Sequence, residues 1–177
     1  YHICDELLKD DNSTTIIGID NINDYYSQGI KKKRLKDLKK KIVLGTWSLS
    51  GDLGPVNTEK TYQLIDHSIK KGFKEFDIAP TYGFGKIDKI FSEFKKENLK
   101  INTKIGYDSN RKKNFSISVL KKSVHVSYHY HGVLNTVFLH NPRYEIKDWN
   151  KIINFMNGLK KKNIIKFMGI SLARDYC

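Results

Sequence analysis

Cysteine is almost absent from this sequence. The only two, Cys4 and Cys177, lie one near each end of the 177 residues, so by spacing they form no metal site and no redox pair. A reducing compartment suits such a chain, and a cytoplasmic location is expected. Long apolar runs are missing as well: none approaches the roughly 20 residues of a membrane span. The first residues, Tyr-His-Ile-Cys-Asp-Glu, lack the basic segment and apolar core of a secretory signal. No membrane partner is expected.

Acidic residues are outnumbered, 19 against 32 Lys and Arg, which gives a formal net charge of +13. Clustered lysines draw polyanions by counterion release. Here Lys, Asn and Ile are abundant along the whole chain, and the densest cluster, Lys31 to Lys41, sets eight basic residues together without one aromatic to stack on bases. That run reads as a solvated helix or linker. A basic nucleic-acid-binding module is therefore the least favoured class, and no nucleic acid is expected as a partner.

What is present is an alternation. At 39% hydrophobic the chain can bury a core, and from residue 42 onward strand-like and helix-like runs follow one another, the pattern of βα units on a parallel sheet. Ile42 to Trp47 is a first strand and its exit. Thr58 to Lys71 places Tyr62, Ile65 and Ile69 on one helical face, with Asn57 or Thr58 as N-cap and Gly72 as stop. Lys74 to Asp77 is a second strand, after which Ile87, Ile90, Phe91 and Phe94 recur at helical spacing. Lys100 to Ile105 is a third strand, followed by a helix marked by Ile117, Leu120 and Val124. Leu134 to Leu139 is a fourth. Trp149, Ile152, Ile153, Met156 and Leu159 stripe the next helix, and Ile164 to Leu172 supplies a fifth strand. The stripes read as packing faces.

Three of these strands end on a polar residue: Asp77 after Phe-Lys-Glu-Phe, Lys104 after Ile-Asn-Thr, His140 after Val-Phe-Leu. Tyr82 follows Asp77 on a short loop. In a parallel α/β barrel the carboxyl ends of the strands share one face, so distant residues converge there. The set suits carbonyl reduction, which needs a hydride on carbon and a proton on the developing alkoxide. A tyrosine with its ordinary pKa of about 10 is a weak acid, and a neighbouring ammonium favours the phenolate. Lys104 is expected to lower the Tyr82 value, Asp77 to fix Lys104, and His140 to orient the substrate oxygen.

The contexts Leu44-Gly45-Thr46-Trp47, Asp77-Ile-Ala-Pro-Thr-Tyr82-Gly83, Thr103-Lys104 and Leu139-His140-Asn141-Pro142 resemble the aldo-keto reductase family over residues 42 to 172. The resemblance implies an incomplete (β/α)8 TIM barrel of about five βα units, spanning residues 41–177. It implies an oxidoreductase that reduces an aldehyde or ketone, with Tyr82 as proton donor, Asp77 and Lys104 tuning it, and His140 and Trp47 on the substrate. Gly45, Thr46, Trp47, Asp77 and Ser171 would contact NADPH, or NADH in its place. The family often has Asn after that serine; this chain has Leu172. The segments that hold the adenosine phosphate in the family lie beyond the fifth strand.

Residues 1–40 have another character. Thr14 to Ile19 is a short strand delivering Asp20, the acidic position that a dinucleotide fold uses for a ribose hydroxyl, but the glycine-rich phosphate loop is absent. This stretch resembles the sugar-nucleotide epimerase/dehydratase group. His2 to Leu8 is like the helix after its glycine loop, Ile17 to Tyr26 like its second strand, and Lys33-Arg34-Leu35 like the next helix. The resemblance implies a short Rossmann-like α-β leader, adenosine ribose contacts at Asp20 and Asn21, and a link to sugar metabolism. The simplest expectation is a piece of a longer fused gene product, and its rival is that five strands alone make a catalytically incompetent fragment.

His125, His129 and His131 cluster near the end of the third helix, the first two at i and i+4. No glutamate sits between them in a protease-like arrangement. A solvated helix end is expected, without a metal.

Overall fold

The computed structural model describes residues 16–17 (backbone only), 42–142 and 146–172. Six strands, β1 (Ile16–Ile17), β2 (Ile42–Gly45), β3 (Glu75–Asp77), β4 (Lys100–Ile105), β5 (Leu134–His140) and β6 (Ile165–Ser171), lie side by side in chain order. Every pairing is parallel. Between them run α1 (Thr58–Lys70), α2 (Lys86–Ser92), α3 (Ile117–His131) and α4 (Trp149–Lys161), one after each of β2 to β5. A parallel sheet whose neighbours are consecutive, with a helix in each described crossover from β2 to β6, is part of a TIM barrel. Most of the leader, including Asp20 and Asn21, lies outside the described residues, as do Cys4, Cys177 and the lysine run. Within it, Ile16 and Ile17 pair with Ile42 and Val43, so the strand read at Thr14 to Ile19 adds to the same sheet.

Two helices start on side-chain caps, α1 at the Asn57 expected from the sequence and α4 at Asp148. Asn57 Oδ1 accepts from the amide of Lys60 at 3.0 Å, and Asp148 Oδ1 from that of Lys151 at 3.0 Å, so each cap satisfies a donor left over in the first turn. Gly72 ends α1 with φ at +95°, a backbone state that side chains disfavour. The core lies between these helices and one face of the sheet: Phe76 packs on Phe91 with ring centroids 4.9 Å apart, and Ile65, Ile87, Leu120 and Val137 are wholly buried. Each such side chain contributes about 1.5–3 kcal/mol on leaving water. Among the described residues no helix is long and apolar enough to cross a membrane.

One helix face is narrower than its pattern. Ile152, Met156 and Leu159 are buried in α4, but Trp149 and Ile153 stay 39% and 43% exposed. Those two sit at the flanks of the stripe, where nothing among the described residues covers them. The same holds along β6, where Phe167, Met168 and Ile170 are exposed.

Sheet register sets up the site. Gly45 pairs with Asp77, and Asp77 pairs with Asn102, two residues before Lys104. Lys104 in turn pairs with Phe138, two residues before His140, and His140 pairs with Ser171. Paired residues of parallel strands point the same way, and direction alternates along a strand. Gly45, Asp77, Lys104, His140 and Ser171 therefore share one face of the sheet at its carboxyl end.

Candidate active site

Lys104 is the hub. Its Nζ donates to Asp77 Oδ2, to Tyr82 OH at 3.1 Å and to the carbonyl of Ile78 at 3.3 Å, using three donors on three acceptors. The side chains of Lys104 and Asp77 are only 7% and 11% exposed, and Tyr82 is buried to 9%. Tyr82 gets there because the chain turns tightly after β3. Its amide bonds back to Ala79 at 2.9 Å, and a 3-10 turn, Tyr82–Gly85, follows with Gly83 and Phe84 at φ 57° and 55°. Gly83 is needed on a second count, since a Cβ there would stand 2.6 Å from the carbonyl oxygen of Ser50.

The electrostatics correct one expectation. Burial pushes the Tyr82 phenol above its ordinary value, and the Lys104 charge opposes that shift without reversing it. Tyr82 is thus held in its protonated form at neutral pH. Burial also raises the Asp77 carboxyl, again against the pull of Lys104. Asp77 Oδ1 is buried and has no hydrogen-bond partner among the described residues. His140 is pushed down to about 4 by burial and then by the positive charges of Lys104 and Lys113. Its ring lies 5.0 Å from that of Tyr107, tilted by 60°, and is neutral above mildly acidic pH. Among the described residues His140 makes no hydrogen bond to the Asp77, Lys104 and Tyr82 trio; it shares their face and their field.

The remaining expected residues fall around this hub. Thr46 is fully buried and its Oγ1 donates to the Asp77 carbonyl at 2.9 Å, so its hydroxyl hydrogen ties β2 to β3. Trp47, next along, is 52% exposed. Ser171 is half-buried at the end of β6, its carbonyl accepting from the Asn141 amide at 2.6 Å. The histidine cluster dissolves. His125 and His129 are exposed, but the side chain of His131 is buried on α2, with Nε2 3.1 Å from Asp88 Oδ1, so it is not part of a solvated helix end. Among the described residues no group of three or more His, Cys, Asp or Glu is placed to hold a metal.

Sequence reasoning missed a second cluster, at Asp52, Arg111 and Phe84. Arg111 NH2 bonds Asp52 Oδ1 at 2.9 Å and also donates to the Thr81 carbonyl, and its guanidinium lies 3.8 Å from the centre of the Phe84 ring. Asp52 Oδ2 accepts from Ser50 Oγ at 2.8 Å and from the Gly83 amide at 3.3 Å. The three partners come from loops far apart in sequence, with no motif or spacing to link them.

Comparison with known proteins bears on the fold and the family. No curated protein matches the chain. An aldo-keto reductase from Bacillus halodurans in its holo form superposes with a TM-score of 0.64 at 20% identity, covering 75% of this chain and 46% of that one. A thermostable aldo-keto reductase bound to the inhibitor epalrestat gives 0.61 at 22%, over 72% of this chain and 47% of that one. One from Klebsiella pneumoniae in complex with NADPH gives 0.60 at 16%, over 78% and 49% respectively. These likenesses establish a shared fold, and the chain spans about half the length of the structures it resembles. The family model described as "Aldo/keto reductase family" matches residues 41–174, three quarters of the sequence, and on that ground the chain belongs to the aldo/keto reductase family.

Proposed function

We propose that residues 42 to 172 carry the carbonyl-reducing centre of an NAD(P)H-dependent oxidoreductase acting on an aldehyde or ketone. One observation carries the reading: Lys104 Nζ bridges Asp77 and the Tyr82 hydroxyl at 3.1 Å, buried at the carboxyl end of the sheet. Tyr82, protonated at neutral pH, gives its proton to the substrate oxygen as negative charge develops there. Lys104 steadies the phenolate that this leaves, and Asp77 fixes Lys104. His140, neutral, has one N–H with which to orient the same oxygen.

The donor set suits a nicotinamide cofactor. Asp77 Oδ1 is a buried acceptor without a partner among the described residues, the kind of atom a ribose hydroxyl satisfies. Gly45 leaves the neighbouring floor free of a side chain, and Trp47 offers an exposed aromatic face. Gly45, Thr46, Trp47, Asp77 and Ser171 are the residues that would hold the cofactor, which when bound supplies the hydride. Solved relatives carrying NADPH favour that form over NADH. In the same reading, residues 1–40 are an epimerase-like leader, which draws the substrate toward sugars.

The test is to titrate NADPH into the chain by fluorescence, then assay a nitrobenzaldehyde beside Tyr82→Phe. The expected result is cofactor binding in both and turnover reduced about 100- to 10,000-fold in the variant. Equal turnover in both removes Tyr82 as donor. Absence of binding and turnover favours the rival reading of a catalytically incompetent fragment, for which the exposed residues of β6 are the supporting observation.

A further inference from the structure

The two neighbours of Tyr82 in the chain are each held from outside their own loop. Arg111 NH2 grips the carbonyl of Thr81, and Asp52 Oδ2 receives the amide of Gly83 at 3.3 Å. Asp52 and Arg111 also bind each other at 2.9 Å. Ser50 completes the frame: its hydroxyl donates to Asp52 Oδ2 at 2.8 Å and accepts from the Asp52 amide at 3.1 Å. Loops after β2, β3 and β4 are thereby joined around one tyrosine.

We propose that Asp52 and Arg111 are positioning residues that clamp the turn bearing Tyr82, so that its hydroxyl stays on Lys104. The geometry asks for such a device. Gly83 and Phe84 both stand at positive φ, and for Phe84 that backbone state is disfavoured. Phe84 is 75% exposed, so burial does not hold it; the guanidinium of Arg111 over its ring does. Arg111 is itself at φ 58°, a further left-handed residue in this contact region beside Gly83, Phe84 and Gly85. Its own loop is closed by Asp108, whose Oδ1 accepts from the amides of Asn110 and Lys112 at 2.9 Å, which presents the guanidinium in a fixed direction. Asp52 remains charged well into the acid range, because Arg111, Ser50 and Gly83 together outweigh the effect of its burial.

The pair is partly covered, its side chains 29% and 21% exposed, so a variant lacking both charges is first checked for folding by urea unfolding. This inference rests on the catalytic reading of Tyr82, but its test does not. The hydroxyl of Tyr82 is titrated as the difference in ultraviolet absorbance between the chain and Tyr82→Phe, in the parent and in Asp52→Asn/Arg111→Met. Removing both charges together leaves the local net charge unchanged. A clamp predicts that the Tyr82 midpoint falls toward the ordinary value of about 10, because the freed turn lets water reach the phenol. Loss of the Asp52 charge lowers that midpoint by itself, so the clamp is read from faster amide exchange at Gly83 and, with NADPH and nitrobenzaldehyde, from kcat reduced about 10- to 100-fold with the NADPH Kd unchanged. Unchanged exchange at Gly83 in the folded double variant overturns the proposal, whatever the midpoint does. If Tyr82→Phe turns over as fast as the parent, the donor role falls, and the exchange at Gly83 still decides the clamp.

Discussion

Replacing Lys104 by Met tests the centre of the site through stability rather than turnover. Lys104 and Asp77 are 7% and 11% exposed, and Asp77 Oδ1 has no partner among the described residues, so the substitution strands a carboxylate with no neighbouring charge. Breaking a buried pair from one side costs about 3–5 kcal/mol. Asp77 already titrates above its ordinary value because burial outweighs Lys104, and without Lys104 it rises further. The sign follows: a carboxyl whose folded pKa lies above its unfolded value destabilises the fold as pH rises from 3.8 through the folded value. Urea unfolding of parent and Lys104→Met should therefore differ most at pH 7 and less as pH falls toward 4. Lys104→Met with Asp77→Leu, which removes both charges, should recover most of the loss. A penalty equal at pH 7 and pH 4, or unrelieved in the double variant, refutes the view that a desolvated carboxylate is its cause.

Two further outcomes are expected. His140 is pushed down to about 4 against 6.5 unfolded, so its contribution is complete above pH 6.5 and is lost as pH falls to about 4. A sealed ring would account for about 3 kcal/mol, and solvent access to this half-buried one leaves about 1–2 kcal/mol; urea unfolding of His140→Asn should show a shallower slope over that window. An equal slope disproves the assignment. Gly83→Ala should cost about 2–4 kcal/mol, combining left-handed strain with the overlap on Ser50, whereas Gly72→Ala, with open space around it, should cost about 1 kcal/mol. Similar losses in both would mean that the turn does not press on Ser50. The proton-donor and clamp tests given above complete the set.

What the sequence made legible was whatever lies within one element. Asn57 shows its cap by type and place, and Ile87, Ile90, Phe91 and Phe94 their shared burial by spacing, whereas Lys100 to Ile105, buried on both faces from Ile101 on, does not follow a simple alternation. Asp77, Lys104 and His140 were legible because strand ends in a parallel sheet converge whatever the loops do. The direction of the Tyr82 shift was not, since it is a contest between burial, which raises the value, and the Lys104 charge, which lowers it, with Asp77 and Asp52 adding to the rise. Residue identity names the Lys104 and Asp77 charges, and only the packed structure gives the burial and brings Asp52 near.

The Asp52 and Arg111 pair shows the same boundary from the other side. Its parts are 59 residues apart, on loops whose course depends on Gly83 and Phe84 taking left-handed backbone states. No periodicity reports such a contact. Its chemistry is nonetheless of a piece with the hub it surrounds. In the hub a buried Lys104 must be matched closely by acceptors, because desolvation makes any unmatched charge expensive. At the rim Asp52 and Arg111 keep some access to water, so they can fix the turn without destabilising it. A tyrosine asked to give up a proton needs both conditions, a dry pocket that keeps it protonated and a turn that does not drift. In this chain those two conditions are met by different residues, which is why variants at Lys104 should register in stability and variants at Arg111 in the placement of Tyr82.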